Sequence, residues 1–222
     1  RPGVDEQLTP ERRLKMGNDA AKAAWAAHCA GLSVIPPERG GKAPFPPTWK
    51  RYQEHRATFE QLADWYAEGL DGIGIVCGGI SQNLMGFDFD DIKAYDDYIA
   101  LAATAGLGEV IERIEEGFLE STPRGGRHWL YRCSEVRRSE KLATRRVPQD
   151  ETIQTLIETK GEGGYIVVSP SSAIVNGQPA VYARLGGRFC TIAEISPQEQ
   201  EALQRLARTL DEVGPSTYRE QE

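Results

Sequence analysis

The chain has 222 residues, enough for one domain of ordinary size or one domain built from two packed lobes. With 40% hydrophobic and 27% charged residues it reads as a soluble globular protein and not as a disordered one. The 26 Lys and Arg against 33 Asp and Glu leave a formal net charge of -7, which weighs against coating nucleic acid by bulk charge but allows a local basic groove. No apolar run approaches the roughly 20 residues of a membrane span. The N-terminal Arg1-Pro2-Gly3-Val4-Asp5-Glu6 lacks the apolar core of a signal peptide. Cys29, Cys77, Cys133 and Cys190 show no Cys-x-x-Cys pairing, so no structural zinc is expected and a reducing, cytosol-like compartment is.

In chain order, Thr9-Pro10-Glu11 caps a helix that the Ala-rich run carries to about Ala30, where Gly31 stops it. A short strand spans 32–35. Residues 36–48 hold five prolines and Gly40-Gly41 and must be a loop, which carries Arg39 and Lys42. Thr58-Phe59-Glu60-Gln61 caps a second helix. Strands follow at 73–76 and 84–90, and helices from Ile92 to near Ala103 and around 110–114. The segments 118–121 and 127–133 read as strands about a Pro-Arg-Gly-Gly turn. A polar, basic and flexible stretch then runs to Asp150, followed by strands at 153–158, 165–168 and 180–184. Ser196-Pro197-Gln198-Glu199 caps a last helix to about Val213. A catalytic domain of two packed subdomains over 1–213 and a frayed end or linker over 214–222 are expected. The mixture is α/β or α+β.

Three segments carry chemistry. In Met85-Gly86-Phe87-Asp88-Phe89-Asp90, alternation puts Asp88 and Asp90 on one face and both Phe on the other. Two carboxylates at a strand end repel, and a hard divalent cation, Mg²⁺ or Mn²⁺, removes that cost. A solvated strand end with Asp91 capping the next helix explains the same residues. In Ser121-Thr122-Pro123-Arg124-Gly125-Gly126-Arg127-His128, Gly125 and Gly126 allow a tight turn and close backbone approach, while Arg124, Arg127 and His128 supply donors that suit a triphosphate. In Glu158-Thr159-Lys160-Gly161-Glu162-Gly163-Gly164-Tyr165, Glu158 and Lys160 share a face, and the glycines predict a hairpin. If these strands are neighbours, Asp88, Asp90, Glu158, His128 and Lys160 converge on one surface suited to two-metal phosphoryl or nucleotidyl transfer.

In this order the apolar Gly72-Ile73-Gly74-Ile75-Val76 strand, Asp88-x-Asp90, the Gly-Gly-x-His turn and the acid-x-basic-Gly-x-Gly-Gly-Tyr segment resemble the primase–polymerase domain of plasmid and phage replication proteins, in the archaeo-eukaryotic primase superfamily. The upstream Gly31 to Pro36 strand, with Lys42, Trp49 and Lys50, resembles that family's opening, so the likeness spans roughly 20 to 172. The resemblance implies a mixed-sheet, RRM-like catalytic unit packed with a smaller N-terminal α/β unit. It implies that Asp88, Asp90 and Glu158 hold a two-metal Mg²⁺ or Mn²⁺ site. His128 would bind the phosphates of an incoming dNTP or NTP, helped by Arg124, Arg127, Lys160 and the backbone around Gly125, Gly126, Gly164 and Tyr165. The family's later acid is commonly Asp, where this chain has Glu158. The implied partners are a single-stranded DNA template and the nucleotides, in a bacterial or archaeal cytoplasm. A helicase often accompanies such domains; no Gly-x-x-x-x-Gly-Lys-Ser/Thr loop occurs in this sequence.

For the template, 132–146 holds six basic residues against two acidic, and Arg137, Arg138, Arg145 and Arg146 are the expected backbone contacts; a solvated loop explains the segment equally. A metal-dependent glycosyltransferase using Asp-x-Asp, and a non-catalytic single-stranded-DNA-binding module, are the competing functions.

Overall fold

The computed structural model describes residues 8–214. Its N-terminal unit begins with helix α1 (Pro10–Met16) and helix α2 (Asp19–Cys29). The single Ala-rich helix expected from Thr9 is therefore two. Gly17 leaves the helical conformation, and the Asn18 side chain accepts the Ala21 N–H at 2.8 Å, starting a new helix. Strands β1 (Ser33–Ile35) and β2 (Ile73–Val76) flank the Pro-rich loop and helix α3 (Phe59–Ala67), whose Thr58–Gln61 capping box is formed.

The chain then enters the main sheet through β3 (Leu84–Phe89), followed by α4 (Ile92–Thr104) and α5 (Gly108–Gly117). Next come β4 (Phe118–Ser121), β5 (Arg127–Cys133), β6 (Glu140–Arg146), β7 (Ile153–Lys160) and β8 (Tyr165–Val168). The remainder is β9 (Ser172–Val175), β10 (Gln178–Val181), β11 (Ala183–Gly187), β12 (Ala193–Ile195) and α6 (Pro197–Arg208). The fold is thus mixed α/β, with the main sheet ordered β11-β4-β5-β3-β7-β6 and β12 added parallel to β5; its other pairings are antiparallel.

Four further expectations need correction. The basic stretch after Cys133 is not a flexible loop to Asp150: β6 runs through it and pairs with β7. Its buried Leu142-Ala143-Thr144 anchor lies inside flanking charges that hide it in the sequence. Glu158 and Tyr165 do not lie on two arms of one hairpin. β7 pairs with β3 and β6, whereas β8 crosses to a separate sheet, β1-β2-β8. The glycines serve that crossing: a Cβ at Gly161 would meet the Arg137 carbonyl oxygen at 1.8 Å. The single strand expected at 180–184 is split between β10 and β11, and β9 and β12 are additional. The last helix ends at Arg208, short of Val213. The expected frayed end lies, beyond Gly214, outside the described residues.

Two cores result. One face of the main sheet, with Phe87, Phe89, Trp129 and Tyr131, packs under α4, α5 and α6. Phe87 and Phe89 lie 5.6 and 4.9 Å from the Trp129 ring, which makes this aromatic cluster the anchor of β3. The second core joins α1–α3 and the small sheet to Leu84, Leu130 and Phe118 on the other face of the main sheet. Gly86 lets the units close: a Cβ there would come 3.0 Å from the Ile166 methyl. Arg132 ties them further, donating to the carbonyls of Ser81, Gln82 and Ala30 at 2.7, 2.9 and 3.2 Å.

Phe87→Ala should cost about 3–5 kcal/mol, because the aromatic ring leaves the core and a cavity takes its place. Denaturant unfolding is the check. A cost under about 1 kcal/mol would mean that β3 is not anchored by this cluster.

Candidate active site

Antiparallel strands place opposed residues on one face. Here that rule builds a single row across six strands. Arg184 on β11 faces Glu120 on β4, Glu120 faces His128 on β5, and His128 faces Asp88 on β3. Asp88 then faces Glu158 on β7, and Glu158 faces Lys141 on β6. The charges alternate along the row except at its centre, where the carboxylates Asp88 and Glu158 are neighbours. Asp90 follows two residues after Asp88, just past the end of β3.

The row is buried at its middle. His128 is 3% exposed, Asp88 9% and Glu120 0%. His128 Nε2 lies 3.1 Å from Asp88 Oδ1, and Nδ1 lies 2.9 Å from Glu120 Oε1. Burial by itself lowers the proton affinity of this imidazole. The charge and hydrogen bond of Asp88, joined by those of Glu120, overcome it and raise the pKa to about 10. His128 is therefore an imidazolium at neutral pH, donating from both nitrogens. Asp88 feels the converse: burial opposes its ionisation, but His128, Lys160 and Lys42 together hold it below the usual range.

Asp90 is different. Burial and the charges of Asp88 and Glu158 push its carboxyl up to about 6, against a partial pull from Lys42 and His128. An excess of negative potential remains at this point. Glu158 is engaged by Lys160, whose Nζ lies 2.6 Å from Oε1.

Two adjoining cavities open on these groups. The first, of about 220 Å³, is lined by Lys42, Asp88, Asp90, Arg124 and His128, with the β9 residues Ala173, Ile174 and Val175 as an apolar wall. The second, of about 250 Å³, adds Glu158, Lys160, Tyr165 and Tyr182. Lys42 borders both and makes no ion pair among the described residues. The turn over 122–126 closes on Thr122, whose Oγ1 accepts the Gly126 N–H at 3.0 Å. Gly126 is required there, because a Cβ would fall 2.0 Å from the Phe89 carbonyl oxygen, beside Asp90. Gly125 has φ +92°, the left-handed region that favours glycine. Gly164 lies within the crossing from β7 to β8, its N–H donating to the Gly161 carbonyl at 2.8 Å.

Asp88, Asp90, His128, Glu158, Lys160, Arg124 and Tyr165 are thus brought to one cleft. Arg127 is not. It points to the opposite face, donates to the Gly125 and Gly126 carbonyls at 3.1 and 3.0 Å and lies over the Tyr95 ring. Strand alternation relative to His128 is the reason. Of the expected template contacts, Arg137 pairs with Glu201, Arg145 with Asp91 at 3.2 Å and Arg146 with Glu151 at 3.6 Å. Arg138 has no ion-pair partner among the described residues. Glu120 and Tyr182 belong to the site yet escape the motif reading. Glu120 has a legible signal: a turn over 122–126 sets Ser121 opposite Arg127, and so Glu120 opposite His128.

Do these residues fit a divalent cation? The donors are hard carboxylate oxygens on one face, and the raised Asp90 marks burial and carboxylate repulsion, whose cost a bound cation would relieve. Among the described residues no group of three or more His, Cys, Asp and Glu side chains is already gathered as a coordination shell. Asp88 and Glu158 are instead turned toward His128 and Lys160. The set fits in donor type and placement, with these two ion pairs as the competing partners.

The mixed α/β fold thus presents an acid-lined, cation-flanked cleft. The profile of the family described as bifunctional DNA primase/polymerase, N-terminal, matches residues 23–199, and the chain belongs to that family. No curated protein matches the chain. Among the described residues no helix is long and apolar enough to cross a membrane.

The raised Asp90 yields a sign that can be tested. Its folded pKa lies above its ordinary 3.8, so ionisation costs stability fully above about pH 6 and not at all well below 3.8. Asp90→Asn should stabilise the metal-free protein near pH 7.5 by about 1 kcal/mol after solvent screening, or a rise of roughly 2–4 °C in Tm. The gain should vanish near pH 3.5. Thermal unfolding at both pH values checks it, and a loss of stability at pH 7.5 would refute the assigned repulsion.

Proposed function

We propose that the chain is a template-dependent DNA primase/polymerase, with an RRM-like catalytic unit of archaeo-eukaryotic primase type formed by the main sheet. It transfers a nucleotide from a dNTP or NTP to a 3′-hydroxyl on a single-stranded DNA template, releasing pyrophosphate, in plasmid or phage replication. Family membership supports DNA primase/polymerase activity in replication at the coarser level. The observation that carries the finer reading is the adjacency of Asp88, Glu158 and Asp90 in a cleft whose other walls are cationic.

Proteins of this family generally use divalent metals. Here Asp88, Asp90 and Glu158 would hold two Mg²⁺ or Mn²⁺ ions. Such ions, when bound, activate the attacking hydroxyl and neutralise charge on the phosphates. The remaining roles fall to side chains. Lys42, Arg124 and Lys160 attract and orient the triphosphate by charge, and His128 donates to it through Nε2. The backbone over 122–126 lets the phosphates approach closely. Trp129 and Tyr131 lie in the helix-covered core and take no part in base stacking. The catalytic domain is assigned to residues through 213, with its two subdomains meeting at the cleft.

For the template, Arg138 and Lys141 are the cations of β6 and the turn before it without an ion-pair partner among the described residues. Arg137, Arg145 and Arg146 would have to leave their acidic partners to bind DNA. Template binding is accordingly assigned first to Arg138, with Lys141 beside it.

Two assays test this. Asp90→Asn should reduce incorporation of labelled nucleotide by about a hundredfold or more, on primed and unprimed templates alike, with Mg²⁺ or Mn²⁺. Near-normal extension by the folded variant would sink the assignment. Neutralising Arg138 and Lys141 to Gln should lower single-stranded DNA affinity and flatten its log–log salt slope by about 0.7 for each phosphate no longer neutralised. Nucleotide affinity should stay unchanged. An unaltered slope would move the template path to the Lys42 and Lys50 side.

A further inference from the structure

Away from the carboxylates, the charged row of the main sheet ends on a cation without an ion pair. Arg184 on β11 lies three strand pairings from Asp88, on the same face, or about 14 Å at ordinary strand spacing. Its guanidinium carbon sits 4.0 Å from the centre of the Phe118 ring and 4.6 Å from that of Phe189. Nε donates to Ser169 Oγ at 3.2 Å, and no carboxylate among the described residues pairs with the group. Glu120, its neighbour in the row, already turns one oxygen to His128 Nδ1 and the other to the Ser169 N–H, each at 2.9 Å. Burial pulls the Arg184 pKa below its ordinary value, opposed in part by Glu120, so a bound anion would relieve a real cost.

Arg184 borders a cavity of about 550 Å³ between α2 and β11, a size that suits a small ligand or one unit of a polymer. Ala23, Ala26, Pro170 and Phe189 give it an apolar floor. Arg188 is a second cation there without an ion pair, and among the described residues no carboxylate lines the space. Tyr182 lines this cavity and also the one that holds Glu158 and Lys160, so the two meet at one side chain.

We infer that this cavity binds one nucleotide of the single-stranded template, with base and sugar on the apolar floor and the flanking phosphates at Arg184 and Arg188. The inference rests on the proposed function for the identity of the polymer. An apolar surface beside cations is what a single strand needs, because each base offers a face to bury and each linkage one charge. Two guanidinium groups match phosphodiesters better than they match a triphosphate. The position also favours a strand over a free nucleotide. Lys141 ends the same row on the opposite edge of the sheet, two pairings beyond Asp88. A strand laid across the sheet would therefore meet a cation at either end, with the carboxylates between. The 14 Å from Asp88 corresponds to about four nucleotides at a stacked rise of about 3.4 Å, a span that a polymer covers and a monomer does not.

Cys190 lines the cavity and is exposed, which supplies a reporter. Cys77 and Cys133 are buried, so in Cys29→Ser it is the one exposed thiol among the described residues. In that variant, saturating oligothymidylate should slow alkylation of Cys190 by a maleimide at least about fivefold, and saturating dTTP should not. Arg188→Gln should weaken oligothymidylate binding about three- to tenfold and lower its log–log salt slope by about 0.7, with dTTP affinity held within about twofold. Arg184→Gln should weaken it further. If that variant fails to fold, because the guanidinium packs on two rings, the alkylation rate and Arg188→Gln decide alone. In a protein that binds the oligonucleotide, unchanged alkylation or an unaltered salt slope in Arg188→Gln overturns the inference and leaves the proposed function standing. Protection of Cys190 by dTTP also overturns it, since that result marks a site for free nucleotide. A protein that binds no oligothymidylate at all loses the proposed function, and the inference falls with it.

Discussion

The structure depends on a row of charges that must be complete to be buried. Glu120, His128 and Asp88 sit side by side on adjacent strands with almost no exposure. An isolated ion there would cost several kcal/mol, so each member requires the next. What enforces the row is the opposite face of the same strands. Phe87, Phe89 and Trp129 are locked in the aromatic cluster, and a slip of one residue would drive Phe87 into the cleft and Asp88 into the core. Packing thus sets the register, and the register sets the charges.

The row is balanced everywhere except where the chemistry is assigned. Two carboxylates stand together at Asp88 and Glu158, and Asp90 adds a third. Cations from elsewhere offset them in part: Lys160 from the same strand as Glu158, and Lys42 from the Pro-rich loop of the N-terminal unit. The electrostatic strain survives in the raised Asp90, and local destabilisation of this kind is common where a protein awaits a charged ligand. The two-unit construction follows from the same need. The polar face of the main sheet is covered by the small sheet only at the Leu84 and Leu130 end, which leaves the Asp88 end as a cleft.

Much of this is legible in the chain. Asp88-Phe89-Asp90 declares its two faces by alternation, and the helix caps at Thr58 and Ser196 are spelled out. The unread parts have specific causes. Glycines between 158 and 165 suggest a hairpin, but adjacency in sequence does not tell whether two strands share a sheet, and here they belong to different ones. β6 is hidden because charged residues surround its short buried run, and the partners for those charges come from α6, from Asp91 and from Glu151. Glu120 is hidden for the opposite reason. A single acid within Phe-Leu-Glu-Ser has no motif, and only counting outward from the 122–126 turn places it against the histidine.

The same distinction bears on how an acidic protein meets DNA. A count of basic residues over 132–146 suggests a clamp, yet three of the four arginines named there already have carboxylate partners. A paired arginine offers a phosphate little net charge, and moving it exposes its former partner. Unpaired cations are what create local field in a chain of net charge -7. Lys42 and Arg124 border the cleft without an ion pair among the described residues, and Arg138 and Lys141 lie at and before β6 in the same condition. Their arrangement ranks positions by what each charge lacks, which is a stronger guide to a polyanion's path than the density of basic residues along the chain.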